Sequence, residues 1–331
     1  MKINPGRRIL AGVQPELRSN IIRYYLDISW WGLYGGATAA FLTIYATRVG
    51  ATPAQIGLMT ALPAAVQLAT SLPSGDLVRR MTPYRANWMG AFISRLFLAL
   101  YIFLPLLPSQ PAQVQAIILI GAVFAIPATL TGVAFNQLLM EAIPIDWRGT
   151  VVGVRNALFS IITFAVTVIS GQILTRVAFP LNYQIVFAIG FIGAIMTAYQ
   201  LWRVRPLSAL QSATRPVAAG TRRPRRFIPA ITGQGRRYIR VLGWLFLFNT
   251  VNNMVAPLVP GILVNRLALS DAWISIGAAL NSMLLFLVSL FYARRRRGAS
   301  SRLGTALGAG LLAFQTAALA LATNVWLYML S

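Results

Sequence analysis

Two ionisable side chains interrupt long apolar stretches of this sequence. Asp27 stands in "YYLDISWWGLYGG" and Arg95 stands in "MGAFISRLFLAL". An ionised group among apolar neighbours is costly to bury, so each residue is a candidate for function. Arg95 could bind an anionic group, and a buried Asp27 could take up a coupling proton.

Both residues also have structural interpretations. The long stem of Arg95 could carry its charge to the lipid headgroups, or the residue could form a structural ion pair. Asp27 could be a headgroup-level acid paired with Arg23, one helical turn before it. Trp31, which follows Asp27, could belong to an interfacial aromatic belt or to a substrate pathway. The sequence leaves these alternatives open.

A group of asparagines marks another candidate pathway. Asn249, Asn252 and Asn253 in "LFLFNTVNNMVAPLVPG" are spaced i, i+3 and i+4, so their amides share one helix face. The two prolines that follow favour a hinged helix that lines a cavity. The alternative is hydrogen bonding between helices. Asn136, near the end of another apolar run, is a weaker candidate.

The residue types needed for metal or nucleophilic chemistry are largely missing. The chain has no cysteine and no histidine, which excludes disulfides, thiolate or imidazole metal sites and histidine-based triads. Its only lysine is Lys2, so a phosphate-binding loop with its lysine is also excluded. Glu141 and Asp146 lie near Arg148 and suggest a salt bridge of a loop or gate. We therefore expect no metal, no cofactor and no enzymatic activity.

The elements that position these residues are apolar runs. Hydrophobic residues make up 57% of the chain, and a helix of about 20 apolar residues crosses roughly 30 Å of hydrocarbon. The predicted spans are 25–48, 54–74, 86–107, 112–140, 151–178, 183–203, 239–264, 271–293 and 303–323, with a tenth beginning near Asn324. Thr52 and Ser270 are predicted N-caps, and the small residues of "WGLYGGATAA" are expected to permit close helix packing. The predicted fold class is an all-α polytopic membrane protein.

The arginines predict how these spans are oriented. Five basic residues precede the first span, three follow the second, two follow the fourth, ten follow the sixth and five follow the eighth. Because positive charge near span ends stays cytoplasmic, we predict a plasma-membrane protein with a cytoplasmic N-terminus. Anionic lipids of the bilayer are expected at the arginine clusters. Nucleic-acid binding is not expected, since the arginines lie in short clusters between apolar runs.

An internal repeat divides the chain. At an offset of 218 residues, Arg48 aligns with Arg266, Thr52 with Ser270, Ile56 with Ile274 and Arg79 with Arg297, without a gap. This recurrence favours a parallel repeat of six-helix units. The predicted domains are a basic N-terminus at 1–24, a six-helix bundle at 25–203, a basic linker at 204–238 and a partial second bundle at 239–331.

The stretch "GDLVRRMTPYR" after the second span resembles the signature of the major facilitator superfamily of secondary transporters, roughly Gly-x-x-x-Asp-Arg-x-Gly-Arg-Arg. Gly75 and Arg80 fit this signature, whereas Arg79 stands where the acid would be. Asp76 lies three residues before Arg79, so a helical continuation would let the two residues pair. Gly75, Asp76, Arg79 and Arg80 are the predicted cytoplasmic gate motif.

The resemblance implies a two-bundle transporter that moves a small solute by alternating access. The superfamily usually has twelve helices, and this sequence ends a few residues into the tenth span. We therefore expect a C-terminally truncated protein, with six N-terminal helices and an incomplete second bundle of three to four. The alternative function is a non-transporting membrane protein, either a truncated remnant or a scaffold that binds lipid or a partner. The sequence does not identify the substrate.

Overall fold

The computed structural model describes residues 15–205, 239–240, 243–244, 247, 263–264 and 269–294. The helices are α1 (Pro15–Tyr34), α2 (Ala40–Arg48), α3 (Pro53–Arg80), α4 (Pro83–Ala99), α5 (Gln110–Ala142), α6 (Ile145–Arg176), α7 (Leu181–Trp202) and α8 (Asp271–Arg294). A π-helical turn, Gly35–Ala39, joins α1 to α2, and a 3-10 helix, Leu100–Leu106, extends α4. The regular elements of the described residues are all helical, which confirms the predicted all-α class.

In the described part of the chain, five helical segments are long and apolar enough to cross a membrane. They are Pro53–Arg80, Pro83–Leu106, Gln110–Ala142, Trp147–Arg176 and Leu181–Trp202. Several helices extend beyond the predicted spans, because helical structure continues past an apolar run into the polar residues beside it. The difference matters most for α6, which begins at Ile145 rather than at the predicted residue 151.

Polar caps determine where α3, α4 and α5 begin. At the start of α3, the Thr52 hydroxyl accepts from Gln55 N at 3.3 Å, and Gln55 Oε1 accepts from Thr52 N at 2.8 Å. Thr82 caps α4 and Ser109 caps α5, each through one hydrogen bond that its hydroxyl oxygen accepts from a backbone N–H. Each helix has a proline in its first turn, where no N–H partner is needed. The predicted N-cap at Thr52 is confirmed.

Glycines bring α1 close to α6 and α7. A β-carbon at Gly36 would lie 2.6 Å from the Thr163 carbonyl oxygen of α6, and one at Gly193 of α7 would lie 2.6 Å from the Trp30 carbonyl oxygen. Backbones approach this closely only where no side chain intervenes. The first helix is therefore held between α6 and α7, and the packing role expected for the glycines of "WGLYGGATAA" is confirmed at Gly36.

The two ends of the helices differ in composition. One end of the bundle, which we call the arginine-rich end, contains Pro15, the turn at 81–82 and residues 203–205. The opposite end, beneath the turn at 49–52, contains an aromatic cluster in which the Tyr45 ring lies 4.8 Å from that of Tyr183. Within this cluster, the buried Tyr45 hydroxyl donates to Gln113 Oε1 at 2.6 Å.

The described segment of the second half contacts the first half mainly through one helix. α8 packs extensively against α6. At the start of α8, Ile274 N donates to the Ser270 carbonyl at 3.1 Å, so the helix begins where the sequence predicted. Arg48 Nη2 donates to the Leu269 carbonyl at 3.2 Å and joins the end of α2 to the residues just before α8.

Candidate functional site

A buried ion pair joins α1 to α6. Arg155 Nη1 lies 3.1 Å from Asp27 Oδ2, and the two residues are 9% and 5% exposed. The same nitrogen donates to the Tyr24 carbonyl at 3.0 Å. The guanidinium also lies over the Phe135 ring of α5, 4.8 Å from its centroid. Arg155 is therefore held by an ion pair, a backbone hydrogen bond and a cation–π contact.

Arg95 lies close to this pair on α4. Its Nη1 donates to Ser94 Oγ at 2.7 Å, and its Nε donates to Thr197 Oγ1 of α7 at 3.3 Å. The guanidinium lies 4.4 Å from the centroid of the Trp31 ring, and that ring packs against Tyr34. These contacts hold Arg95 with only 7% of the residue exposed.

Asp27, Arg95 and Arg155 form what we call the buried charge cluster. Each lies about three helical turns from the arginine-rich end of its helix, or ~16 Å at the usual rise per residue. Arg95 lies near the middle of Pro83–Leu106, one of the segments long and apolar enough to cross a membrane, and Asp27 lies one helical turn beyond Arg23 on α1. The three residues come from helices that are distant in the sequence, so only the bundle brings them together.

The charges of the cluster do not balance. Asp27 pairs with Arg155 and also attracts Arg95 electrostatically. Among the described residues, however, no carboxylate forms a salt bridge with Arg95, which has hydroxyl groups and an aromatic ring as its neighbours. A buried guanidinium without a carboxylate partner is suited to bind an anionic group.

A family comparison decides which class of protein carries this cluster. The model of the Major Facilitator Superfamily matches residues 28–331, a range that includes Arg95, Arg155 and the stretch "GDLVRRMTPYR". The chain belongs to this superfamily. It is therefore a multi-pass membrane protein of a transporter family, as the resemblance predicted. No curated protein matches the chain.

The stretch that carried the resemblance to the Major Facilitator Superfamily forms the last turns of α3. Gly75, Asp76, Arg79 and Arg80 all lie within this helix. Arg79 Nη2 and Asp76 Oδ1 form an ion pair whose side chains are 67% and 58% exposed, which confirms the predicted local pairing. The pair lies at the arginine-rich end, far more exposed than the buried charge cluster.

The structure corrects one expectation about Asp27. The expected pairing of Asp27 with Arg23 is wrong, because Arg23 Nη1 instead donates to Gln200 Oε1 at 3.0 Å. Asp27 faces the interior of the bundle and pairs with Arg155. Trp31 is partly buried, and its ring packs against the Arg95 guanidinium.

Of the other candidates, Asn136 is exposed on α5 and is not part of the cluster. Asn249, Asn252 and Asn253 lie outside the described residues.

The acidic residues near the end of α5 were expected to pair with Arg148. Glu141 accepts from Gln137 Nε2 at 3.2 Å rather than from Arg148, and Arg148 donates to the carbonyl groups of Met140 and Ile143. The side chain of Asp146 lies outside the described residues. Arg148 therefore acts as a cap for the end of α5. In the described part of the chain, no group of three acidic side chains comes together to hold a metal ion.

Sequence reasoning missed Arg155, which it counted among the cytoplasmic arginines that follow the fourth span. The predicted fifth span begins at residue 151, so Arg155 lies only four residues inside its start and counts as part of the charged boundary. In the structure, Pro144 precedes the first residue of α6, and Arg155 lies well inside the helix. The signal was available in "AIPIDWRGTVVGVRN", where a proline before Ile145 is typical of a helix start.

Proposed function

We propose that this chain is a secondary active transporter that moves a small anionic solute by alternating access, and that Arg95 binds the anionic group. One observation carries the proposal: Arg95 is buried near the middle of a helical segment that is long enough to cross a membrane and, among the described residues, forms no salt bridge. Membership of the transporter superfamily supports transport rather than catalysis. The arginine-rich end supports a plasma-membrane orientation with the N-terminus in the cytoplasm.

The contacts of Arg95 favour a binding role. Ser94 and Thr197 use Nη1 and Nε, and in the described part of the chain Nη2 donates no hydrogen bond. A guanidinium has five N–H donors in a planar fork that matches a carboxylate or phosphate. The group is therefore oriented in advance and keeps donors for a ligand. Because the cluster is buried in this conformation, a solute would reach Arg95 only after the helices move apart.

The Asp27–Arg155 pair supports a structural role rather than proton transfer. Asp27 is occupied by Arg155, and Arg155 is also bonded to the backbone of α1. Two groups held together in this way keep α1 and α6 in register beside Arg95. In this proposal the pair positions the site, and Arg95 contacts the solute.

Uptake into proteoliposomes tests the proposal. The purified chain is reconstituted and given a panel of radiolabelled small carboxylates and phosphates, with neutral solutes of similar size for comparison. We expect uptake of at least one anion, and we expect Arg95→Gln to weaken its binding by about 10- to 100-fold, because a hydrogen bond to a charged group is lost. Arg95→Lys should retain part of the activity, since a charge remains without the planar fork.

Arg85→Gln is the matched control. Arg85 is an exposed arginine of the same helix, so its loss removes the same charge without touching the cluster. Equal uptake by the Arg95→Gln and unmodified proteins would overturn the assignment of Arg95. If a correctly inserted chain takes up none of the panel above empty liposomes, the non-transporting scaffold becomes the better description.

A further inference from the structure

A cavity of about 600 Å³ opens at the arginine-rich end, between the ends of α1, α4 and α7. Its lining includes Arg23, Arg203 and Arg205, together with Ser19, Tyr84 and Trp202. We call it the basic pocket. It lies about a turn or more outside the buried charge cluster along α1, so it is a separate site.

Hydrogen bonds hold the walls of the basic pocket in place. Asn20 is buried, and its side chain donates to the Arg205 carbonyl at 2.7 Å and accepts from Arg205 N at 3.1 Å. The Tyr84 hydroxyl donates to the Trp202 carbonyl and so joins α4 to the end of α7. These bonds use the backbone near Arg203 and Arg205 rather than their guanidinium groups. The Arg203 guanidinium lies over the Tyr199 ring, 5.0 Å from its centroid, at the border between the pocket and the neighbouring helix face.

The described lining of the pocket supplies positive charge without negative charge. Its lining includes no acidic residue, and among the described residues none of its three arginines forms a salt bridge. The flanking segments 1–14 and 206–238 carry further basic residues and no aspartate or glutamate. The nearest acidic residue in the sequence is Glu16, whose side chain lies outside the described residues. The described lining therefore favours binding of an external anion.

An apolar groove of about 360 Å³ adjoins the pocket. It runs between α4 and α7, is lined by Trp88, Phe92, Ile195, Ala198, Tyr199 and Trp202, and shares Trp202 with the pocket. Phe92, Tyr199 and Trp202 are between 40% and 50% exposed, on helices that are long and apolar enough to cross the membrane. The groove therefore faces the region that lipid chains occupy.

We propose that the basic pocket and the groove together form a site for one anionic phospholipid. The phosphate binds among Arg23, Arg203 and Arg205, and an acyl chain lies along the groove between α4 and α7. The cationic pocket and the apolar groove meet at Trp202, as the headgroup and the acyl chains meet in a phospholipid. The positive charge of the pocket favours an anionic headgroup over a zwitterionic one. This site does not depend on the proposed transport.

Native mass spectrometry of the full chain tests the site. The protein in detergent is titrated with phosphatidylglycerol and, separately, with phosphatidylcholine of the same chain length. We expect one phosphatidylglycerol to be retained in preference to phosphatidylcholine. The double variant Arg203→Gln/Arg205→Gln should bind phosphatidylglycerol about 30-fold more weakly, because each arginine near an anionic lipid surface contributes roughly a factor of five.

The control variant is Arg79→Gln/Arg80→Gln, which removes the same charge at the same end but outside the pocket. It should retain the lipid as the unmodified protein does. Should the double pocket variant fold poorly, Arg205→Gln alone keeps the backbone bonds to Asn20 and serves instead, with an expected loss of about fivefold. Equal weakening in pocket and control variants would overturn the site, because general surface charge would then explain binding.

Two further arms separate a lipid from free phosphate. Inorganic phosphate at millimolar concentration should not displace the bound lipid, and Ile195→Trp, which fills the groove, should weaken binding of the long-chain lipid. Displacement by inorganic phosphate, together with unchanged lipid binding in Ile195→Trp, would show a phosphate site without a lipid and would overturn the proposal. A preference for phosphatidylcholine over phosphatidylglycerol would also overturn the proposal.

Discussion

Asp27–Arg155 and Asp76–Arg79 are ion pairs of the same chemistry in different surroundings. The first pair is almost fully buried, whereas both side chains of the second are more than half exposed. Water and ions screen an exposed pair, so it contributes little to stability. Loss of one partner from a buried pair leaves an uncompensated charge, which is strongly destabilising.

These surroundings predict different effects for the same substitution. Asp27→Asn should lower the free energy of unfolding by about 3–5 kcal/mol, because Arg155 stays buried without its carboxylate. Asp76→Asn, the matched control, should change it by less than about 1 kcal/mol. Thermal or denaturant unfolding in detergent micelles measures both. Similar losses in the two variants would contradict the burial of the Asp27–Arg155 pair.

The double variant Asp27→Asn/Arg155→Gln checks the cause of the loss. It removes both charges, so it should recover part of the stability that Asp27→Asn loses. The alternative is that the two substitutions have additive effects, so that the double variant loses the sum of the two single losses. Additive losses would show that the residues act independently and that the ion pair does not cause the instability of Asp27→Asn.

At the level of residues, the sequence identified candidates better than partners. Asp27 and Arg95 stand out because charge is rare in apolar runs, and both lie in the buried cluster. Their partners could not be predicted, since Arg155 is 128 residues from Asp27 and Thr197 is 102 residues from Arg95. Asn20 was missed for the same reason, because its role depends on the backbone of Arg205.

At the level of elements, the approach of the π-helical turn after α1 to α6 depends on glycine. A methyl group at Gly36 would lie 2.6 Å from a carbonyl oxygen, and backbone atoms cannot move aside as a flexible side chain could. Gly57 of α3 is also helical, but a methyl group there would meet no atom of the described residues within 4 Å. Alanine variants of Gly36 and Gly57 can therefore be compared to separate the effect of close packing from the effect of helix propensity.

We expect Gly36→Ala to destabilise the protein by about 1–3 kcal/mol, the usual cost of overpacking. Gly57→Ala should be neutral or stabilising by up to about 1 kcal/mol, because alanine favours a helix more than glycine does. Unfolding in detergent provides the comparison. A neutral Gly36→Ala variant would mean that the π-helical turn and α6 do not pack as closely as this structure has them.

The helices themselves were largely predictable, and their ends were not. Apolar runs and caps such as Thr52 determine that a helix forms and where its polar start lies. Hydropathy does not report how far a helix continues into polar residues, which is why α6 was predicted to begin too late. That error of a few residues moved Arg155 from the interior of the bundle to its edge.

At the level of the whole molecule, the distribution of arginines distinguishes one end of the helix bundle from the other. Arg48 and Arg176 lie at one end, whereas most exposed arginines of the described residues lie at the opposite end, which contains the start of α1, the turn between α3 and α4 and the residues after α7. The proposed lipid site lies at this end, and the buried charge cluster lies deeper in the same bundle. If positive charge determines orientation, both the start of α1 and the lipid site face the cytoplasm.

The absence of cysteine permits a direct test of this orientation, since every introduced thiol is the only one in the chain. Ala54→Cys places a thiol on an exposed position beside the turn at 49–52, and Thr150→Cys places one on an exposed position near the arginine-rich end. A membrane-impermeant maleimide should label Ala54→Cys in intact cells and Thr150→Cys only after permeabilisation. Both substitutions are small and neutral, so neither changes the charge distribution that the prediction depends on. Labelling of Thr150→Cys in intact cells, with protection of Ala54→Cys, would reverse the orientation and place the phospholipid site in the outer leaflet.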